Sequence, residues 1–166
     1  MQIEAKLFRN NEKIPSKYTC DGDNINPELW ITEIPDTTKS LALIVEDPDA
    51  PSGLFTHWIL FNIDPSTEVI SEGRPPIEAD EGQNSFGRAS YGGPCPPKGT
   101  GVHRYFFRLF ALSDTLNVAN GASKQQVLDA MNDKIVGTAE LIGLYGHDNE
   151  SKKDEVQINV EESQAM

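Results

Sequence analysis

Residues 39–63 read KSLALIVEDPDAPSGLFTHWILFNI. Two apolar runs stand out, residues 39–46 and 56–63; both are strand-length and rich in β-branched or aromatic side chains. Each ends in an Asp-Pro turn signal, Asp47-Pro48 and Asp64-Pro65. The stretch predicts two strands joined by a loop that proline stiffens.

Working outward, residues 103–112 (HRYFFRLFAL) predict a third, aromatic-rich strand, and residues 2–8 and 28–31 predict weaker ones. One helix is expected to open at Ser123, whose side chain can cap free amides while Gln126, three residues on, completes a capping box. Val127, Leu128, Met131 and Ile135 then supply one apolar stripe, Gly137 breaks it, and residues 138–145 close the domain as a strand. At least six strands and one main helix near the C-terminus predict a mostly β domain with antiparallel sheets.

Length and charge narrow the function. A chain of 166 residues is one domain's worth. With 14 basic and 26 acidic residues its net charge is −12, which repels polyphosphate surfaces at long range; neither nucleic acid nor integral membrane association is expected. The longest apolar run, Leu41 to Val45, falls far short of the ~20 residues of a membrane span, and residues 1–30 hold no basic apolar leader, so the expected location is cytoplasmic. Two cysteines, Cys20 and Cys95, are too few for a disulfide scaffold and lack zinc-site spacing. Residues 65–97 form a long stretch rich in Gly, Pro, Asn and Ser without periodicity, the kind of segment that is functional or disordered. The expected organisation is a domain over residues 1–146 and an acidic tail over 147–166. In that tail Val156, Ile158 and Val160 alternate as in a strand on a sheet edge or against another copy of the chain.

Two segments carry candidate chemistry. One is Asp47-Pro48-Asp49-Ala50-Pro51 leading through Phe55 to His57; the other, residues 91–105, reads YGGPCPPKGTGVHRY. In both, a proline-stiffened loop abuts a histidine at the start of a strand. Five prolines, Pro48, Pro51, Pro94, Pro96 and Pro97, remove donors and hold the remaining amides in a set geometry, which with two imidazoles makes a candidate cradle for a small anion. The alternative is plain turns with structural histidines. A P-loop fails because the order is Lys98-Gly99-Thr100, and a dinucleotide fingerprint fails because Arg104 stands where its third glycine belongs. Asp47, Asp49, His57 and His103 could ligate a metal, but their spacing is not diagnostic, and neither metal nor cofactor is expected. Cys95 beside a histidine is the candidate nucleophile of the alternative, enzymatic reading. His147, in a polar segment, reads as a solvated side chain.

These paired motifs resemble the signature regions of the phosphatidylethanolamine-binding protein family, the Raf kinase inhibitor protein-like group, in its short bacterial and archaeal branch. Residues 17–22 (KYTCDG) and 139–146 (AELIGLYG) extend the resemblance to roughly residues 1–146. It implies two antiparallel sheets with an anion pocket at one end, built from Asp47, His57, Gly93, Pro94, Pro96, Pro97, His103 and Tyr105, with Phe55 as an aromatic wall. Asn26 and Ser85 depart from the branch's pattern. The resemblance also implies cis peptides at Ala50-Pro51 and within residues 93–97, and it brings Cys20 and Cys95 toward the pocket mouth, bonded or as two free thiols.

The function this implies is non-enzymatic binding of a small phosphate-bearing anion, a phosphoethanolamine-like head group or a phosphorylated side chain, that regulates a kinase or protease partner. A metal-assisted or Cys95-dependent hydrolase is the alternative. In the binding scheme His57 and His103 each aim a ring N–H at the anion, amides of residues 93–97 and the Tyr105 hydroxyl add donors, and Asp47 orients an imidazole. Affinity then rises as pH falls from 8 toward 6, through the histidine range.

Overall fold

Strand β4 (Ser40–Asp47) is buried at nearly every position, and apolar from Leu41 to Val45, because both of its faces are covered. Leu41, Leu43 and Val45 enter one core and Ala42 and Ile44 another. Each fully buried aliphatic side chain contributes about 1.5–3 kcal/mol of transfer free energy. Strand β5 (Phe55–Ile63) does the same, with Trp58 and Leu60 on one side and Ile59 and Phe61 on the other.

The computed structural model describes residues 1–147. The remaining strands are β1 (Gln2–Ala5), β2 (Glu12–Lys13), β3 (Leu29–Thr32), β6 (Val69–Ile70), β7 (Asp80–Glu81), β8 (His103–Leu112) and β9 (Ile135–Tyr145), with one helix, α1 (Lys124–Met131). They form a three-stranded sheet, β1-β3-β6, and a six-stranded sheet, β2-β9-β8-β4-β5-β7. The larger core lies between the sheets; the smaller lies on the far face of the six-stranded sheet, where Val127 and Met131 of α1 pack against Ile44, Ile59 and Phe61. The mostly β, two-sheet architecture with one C-terminal helix matches expectation. Pairing is antiparallel except at β2, which runs parallel to β9.

The capping box forms as read: the Gln126 amide donates to Ser123 Oγ at 3.2 Å and the Ser123 amide to Gln126 Oε1 at 2.9 Å. Ile135 is a correction. It lies outside the helical stripe, 44% exposed, and opens β9, because α1 ends at Met131 and a turn over 132–134 lets the β-branched pair Ile135-Val136 extend. The cis peptides are a second correction, since every peptide among the described residues is trans. Pro51 instead occupies the second position of a turn closed by the Gly53 amide on the Ala50 carbonyl at 3.0 Å, a place that trans proline fills without cost. The alternation at Val156, Ile158 and Val160 lies outside the described residues.

Candidate functional site

In the six-stranded sheet β4 lies between β8 and β5, so the end of β4 meets the beginnings of both neighbours. Asp47 opposes Phe55, and Glu46 opposes Phe106. Alternation along β8 sends His103 and Tyr105 to the face that carries Phe107 into the larger core. His57 arrives by another route. Val45 opposes Trp58 while Glu46 opposes Thr56, which leaves His57 as the extra residue of a β-bulge. The bulge turns both the imidazole and the next residue, Trp58, inward.

These strand ends and two loops form a cavity of about 330 Å³ lined by Asp47, Phe55, His57, Cys95, His103 and Tyr105, together with Phe86, Pro51, Pro96 and Pro97. A larger trough of about 920 Å³ runs beside β1 and β9, but its charged side chains, Glu4, Lys6, Arg9 and Glu140 among them, are exposed. The smaller cavity instead holds three buried polar side chains, Asp47, His57 and His103. Buried polar groups at the wall of an aromatic cavity are the stronger mark of a site.

The hydrogen bonds assign the two imidazoles different states. Thr100 gives its single hydroxyl proton to the Pro97 carbonyl at 2.6 Å, so its oxygen accepts from His103 Nε2 at 2.9 Å. His103 Nδ1 meets Asp47 Oδ2 at 2.6 Å, and Asp47 Oδ1 accepts the Asp49 amide at 2.7 Å. An N–H on both ring nitrogens satisfies this network, and neither remains for an anion. His57 donates Nδ1–H to the Gly92 carbonyl at 2.8 Å. Its Nε2 has no protein partner among the described residues and in the neutral ring is an acceptor. Burial pushes the His57 pKa below the ordinary histidine value, against the opposing pull of the Gly92 carbonyl, which favours the neutral ring at neutral pH. The rings of Phe55, Tyr105 and Phe86 surround it at 5.0, 5.2 and 5.6 Å. Burial, then the nearby Asp47, raises the Tyr105 phenol far above its usual range, so Tyr105 keeps its proton as a donor.

The glycine-proline loop is only half a cradle. The Gly93 amide donates to Asn24 Oδ1 at 2.8 Å, and the Pro94 carbonyl accepts the Cys20 amide at 3.1 Å. Gly93 and Pro94 therefore face the 16–24 segment and do not line the cavity. A Cβ on Gly93 would fall 2.3 Å from the Tyr18 carbonyl oxygen, which is why only glycine fits there. Since prolines carry no amide hydrogen and the Gly93 amide is spent on Asn24, residues 93–97 leave at most one amide, that of Cys95. Pro96 and Pro97 supply wall and not donors. Cys20 and Cys95, 75 residues apart, form a disulfide with 5.3 Å between their Cα atoms.

Several residues outside the predicted set hold the site together. Arg104 clamps Asp49 with its backbone amide, Nε and Nη2 at 3.0, 2.9 and 2.8 Å, and these bonds pull the Asp49 carboxyl down to about 2. Ser85, read as a mere departure, exchanges hydrogen bonds with Thr56 on both sides at 2.8 Å and so supports the bulge. Phe86 carried no sequence signal. Thr100 entered only through the rejected P-loop order, and its bond to His103 is a feature of the folded loop. His147 is a correction: the ring is not simply solvated but contacts the Asp21 carboxylate through Nε2 and donates Nδ1–H to the Pro96 carbonyl at 3.0 Å. Tyr145 adds its hydroxyl to the same Asp21 oxygen at 2.6 Å, ahead of His147 among the causes that hold the Asp21 carboxyl below its usual value.

Comparison with known proteins places the chain. Residues 4–146 match the family profile described as phosphatidylethanolamine-binding protein. A UPF0098 protein of Pyrococcus horikoshii is 51% identical over 148 residues, covering 85% of this chain and 74% of that protein. The crystal structure of a phosphatidylethanolamine-binding protein homologue of Chlamydia trachomatis superposes with a TM-score of 0.83 at 40% identity, over 88% of this chain and 97% of that one. Escherichia coli YbcL, described as a member of the mammalian family, gives 0.82 at 31% identity over 88% and 98%. No helix among the described residues is long and apolar enough to cross a membrane. With the profile spanning nearly the whole described chain and the fold agreeing, the protein belongs to the phosphatidylethanolamine-binding protein family.

Proposed function

We propose that the chain is a binding protein whose cavity captures a small phosphate-bearing anion, of the kind a phosphoethanolamine head group or a phosphorylated side chain presents, and that occupancy regulates contact with a kinase or protease partner. The observation that carries this reading is His57, a buried side chain that spends Nδ1 on the Gly92 carbonyl and has no hydrogen bond to Nε2 from a described residue, in a cavity that Tyr105 also lines. At a charge of −12 the chain repels phosphate at long range, so capture rests on short directed bonds inside the cavity. An arriving anion favours protonated His57, converting Nε2 from acceptor to donor, so binding takes up a proton. His103 serves differently from the expectation, as a wall fixed by Asp47 and Thr100.

Turnover has less support. Cys95 Sγ is bonded to Cys20 and offers no thiolate in this state. Asp47 and His103 spend their polar atoms on each other and on the loops, and among the described residues no three potential ligands gather to hold a metal ion.

Calorimetry with phosphoethanolamine from pH 8 to pH 6 tests the reading. Affinity rises as pH falls, and His57→Gln lowers it at least about tenfold while flattening the pH dependence. Equal affinity in wild type and variant, flat with pH, overturns it. Release of phosphate from an ester substrate by the wild type, lost in His57→Gln, would replace binding with catalysis.

A further inference from the structure

The pocket loop is fastened to residues 16–24 by links of unequal kind. Up to Pro94 they are hydrogen bonds: Tyr91 Oη to the Tyr18 carbonyl at 2.7 Å, the Gly93 amide to Asn24, and the Cys20 amide to the Pro94 carbonyl. Beyond Pro94 the chain becomes cavity wall. There Cys95 is held covalently to Cys20, the Pro96 carbonyl receives His147, and the Pro97 carbonyl turns inward to a local turn with Thr100. Both cysteines are exposed, while Cys95 also lines the cavity. An exposed disulfide is open to attack by a dissolved thiolate, and this one joins residues that begin the wall.

We propose that Cys20–Cys95 is a reversible thiol–disulfide exchange site, with a dithiol as its reductant, that controls the order of the wall over residues 95–97 and through it the affinity of the cavity. This rests on the anion-binding reading above. In the forward step one thiolate of the dithiol attacks a cystine sulfur, and its second thiol resolves the mixed disulfide. Two electrons and two protons pass to the protein; Cys20 and Cys95 leave as thiols and the reductant leaves as a disulfide. The anchors up to Pro94 do not depend on the bond, so the domain stays folded while the wall loosens. Ordering that wall then falls on the binding step, which weakens capture.

The test uses the full chain, oxidised, reduced with dithiothreitol, and as the Cys20→Ser/Cys95→Ser variant, with phosphoethanolamine as the calorimetric probe. Thiol titration gives the redox state, circular dichroism shows that each form is folded, and amide hydrogen exchange over residues 94–101 reads the wall directly. Reduced wild type and the double variant bind about tenfold more weakly than oxidised protein and exchange faster over 94–101. Reoxidation with glutathione disulfide restores the wild type but not the variant. Should the double variant fail to fold, reduced wild type carries the comparison alone. Equal affinity and exchange in oxidised and reduced protein overturn the proposal, as does a bond that dithiothreitol opens only in denaturant. Oxidised protein that does not bind phosphoethanolamine refutes the anion reading instead, and hydrogen exchange then decides whether the bond orders the wall.

Discussion

His57 and His103 line the same cavity and are buried alike, 3% and 1% exposed. Their surroundings differ. His103 sits between a buried carboxylate and a hydroxyl oxygen that can only accept, so its two donors are consumed by the scaffold. His57 has one nitrogen spent on a carbonyl and the other without a protein partner, inside aromatic rings that disfavour its charge. Two identical side chains thus stand differently, one bonded through both ring nitrogens and one through Nδ1 alone. Burial does not separate them; the identity of the hydrogen-bond partners does.

The sharpest way to break this contrast is to remove the carboxylate. Asp47→Ala leaves His103 buried without its acceptor, and chemical denaturation should show a loss of about 3–5 kcal/mol, the usual result of breaking one side of a buried pair. A loss within experimental error would mean that His103 is no more committed than His57. Next in size is the pH dependence of stability. Because folding depresses the His57 pKa, the unfolded chain binds more protons below the ordinary histidine value, so the protein loses stability as pH falls below about 6.5. One histidine contributes at most about 1.4 kcal/mol per pH unit, and thermal melts of His57→Gln should show a shallower slope than wild type. An unchanged slope would remove His57 as the titrating partner.

The smallest expected effect belongs to the clamp outside the cavity. Asp49→Asn weakens the bonds from Arg104, a half-exposed partner, and should cost less than about 1 kcal/mol at neutral pH. The slope has the same sign as that of His57 but lies at lower pH: a depressed carboxyl stabilises above its ordinary value near 4, and this contribution fades as pH falls toward about 2. A cost as large as that of Asp47→Ala would show that the clamp, and not the buried pair, holds the strand ends together.

Much of the frame was legible because it is local. Residues 103–112 form a strand with the boundaries read from their pattern, and Ser123 with Gln126 caps the helix as the spacing required. Strands β2, β6 and β7, two residues each, escaped detection because so short a segment has no period; they exist only by pairing with β9, β3 and β5. Phe86 and Ser85 were missed for a related reason, since both act through neighbours some thirty residues away in sequence, Phe55 and Thr56.

By itself the sequence determined which strands are covered on both faces, where prolines stiffen the loops and which residue types gather at the ends of those strands. Periodicity and φ restriction are properties of neighbouring residues, and folding does not rewrite them. Tertiary structure decided that Cys20 bonds Cys95, that Gly93 turns its amide away from the cavity, that a bulge carries His57 inward and that His103 spends both nitrogens on the scaffold. Each of these depends on which distant group reaches a given donor or sulfur first, and that competition is settled only when the strand ends meet.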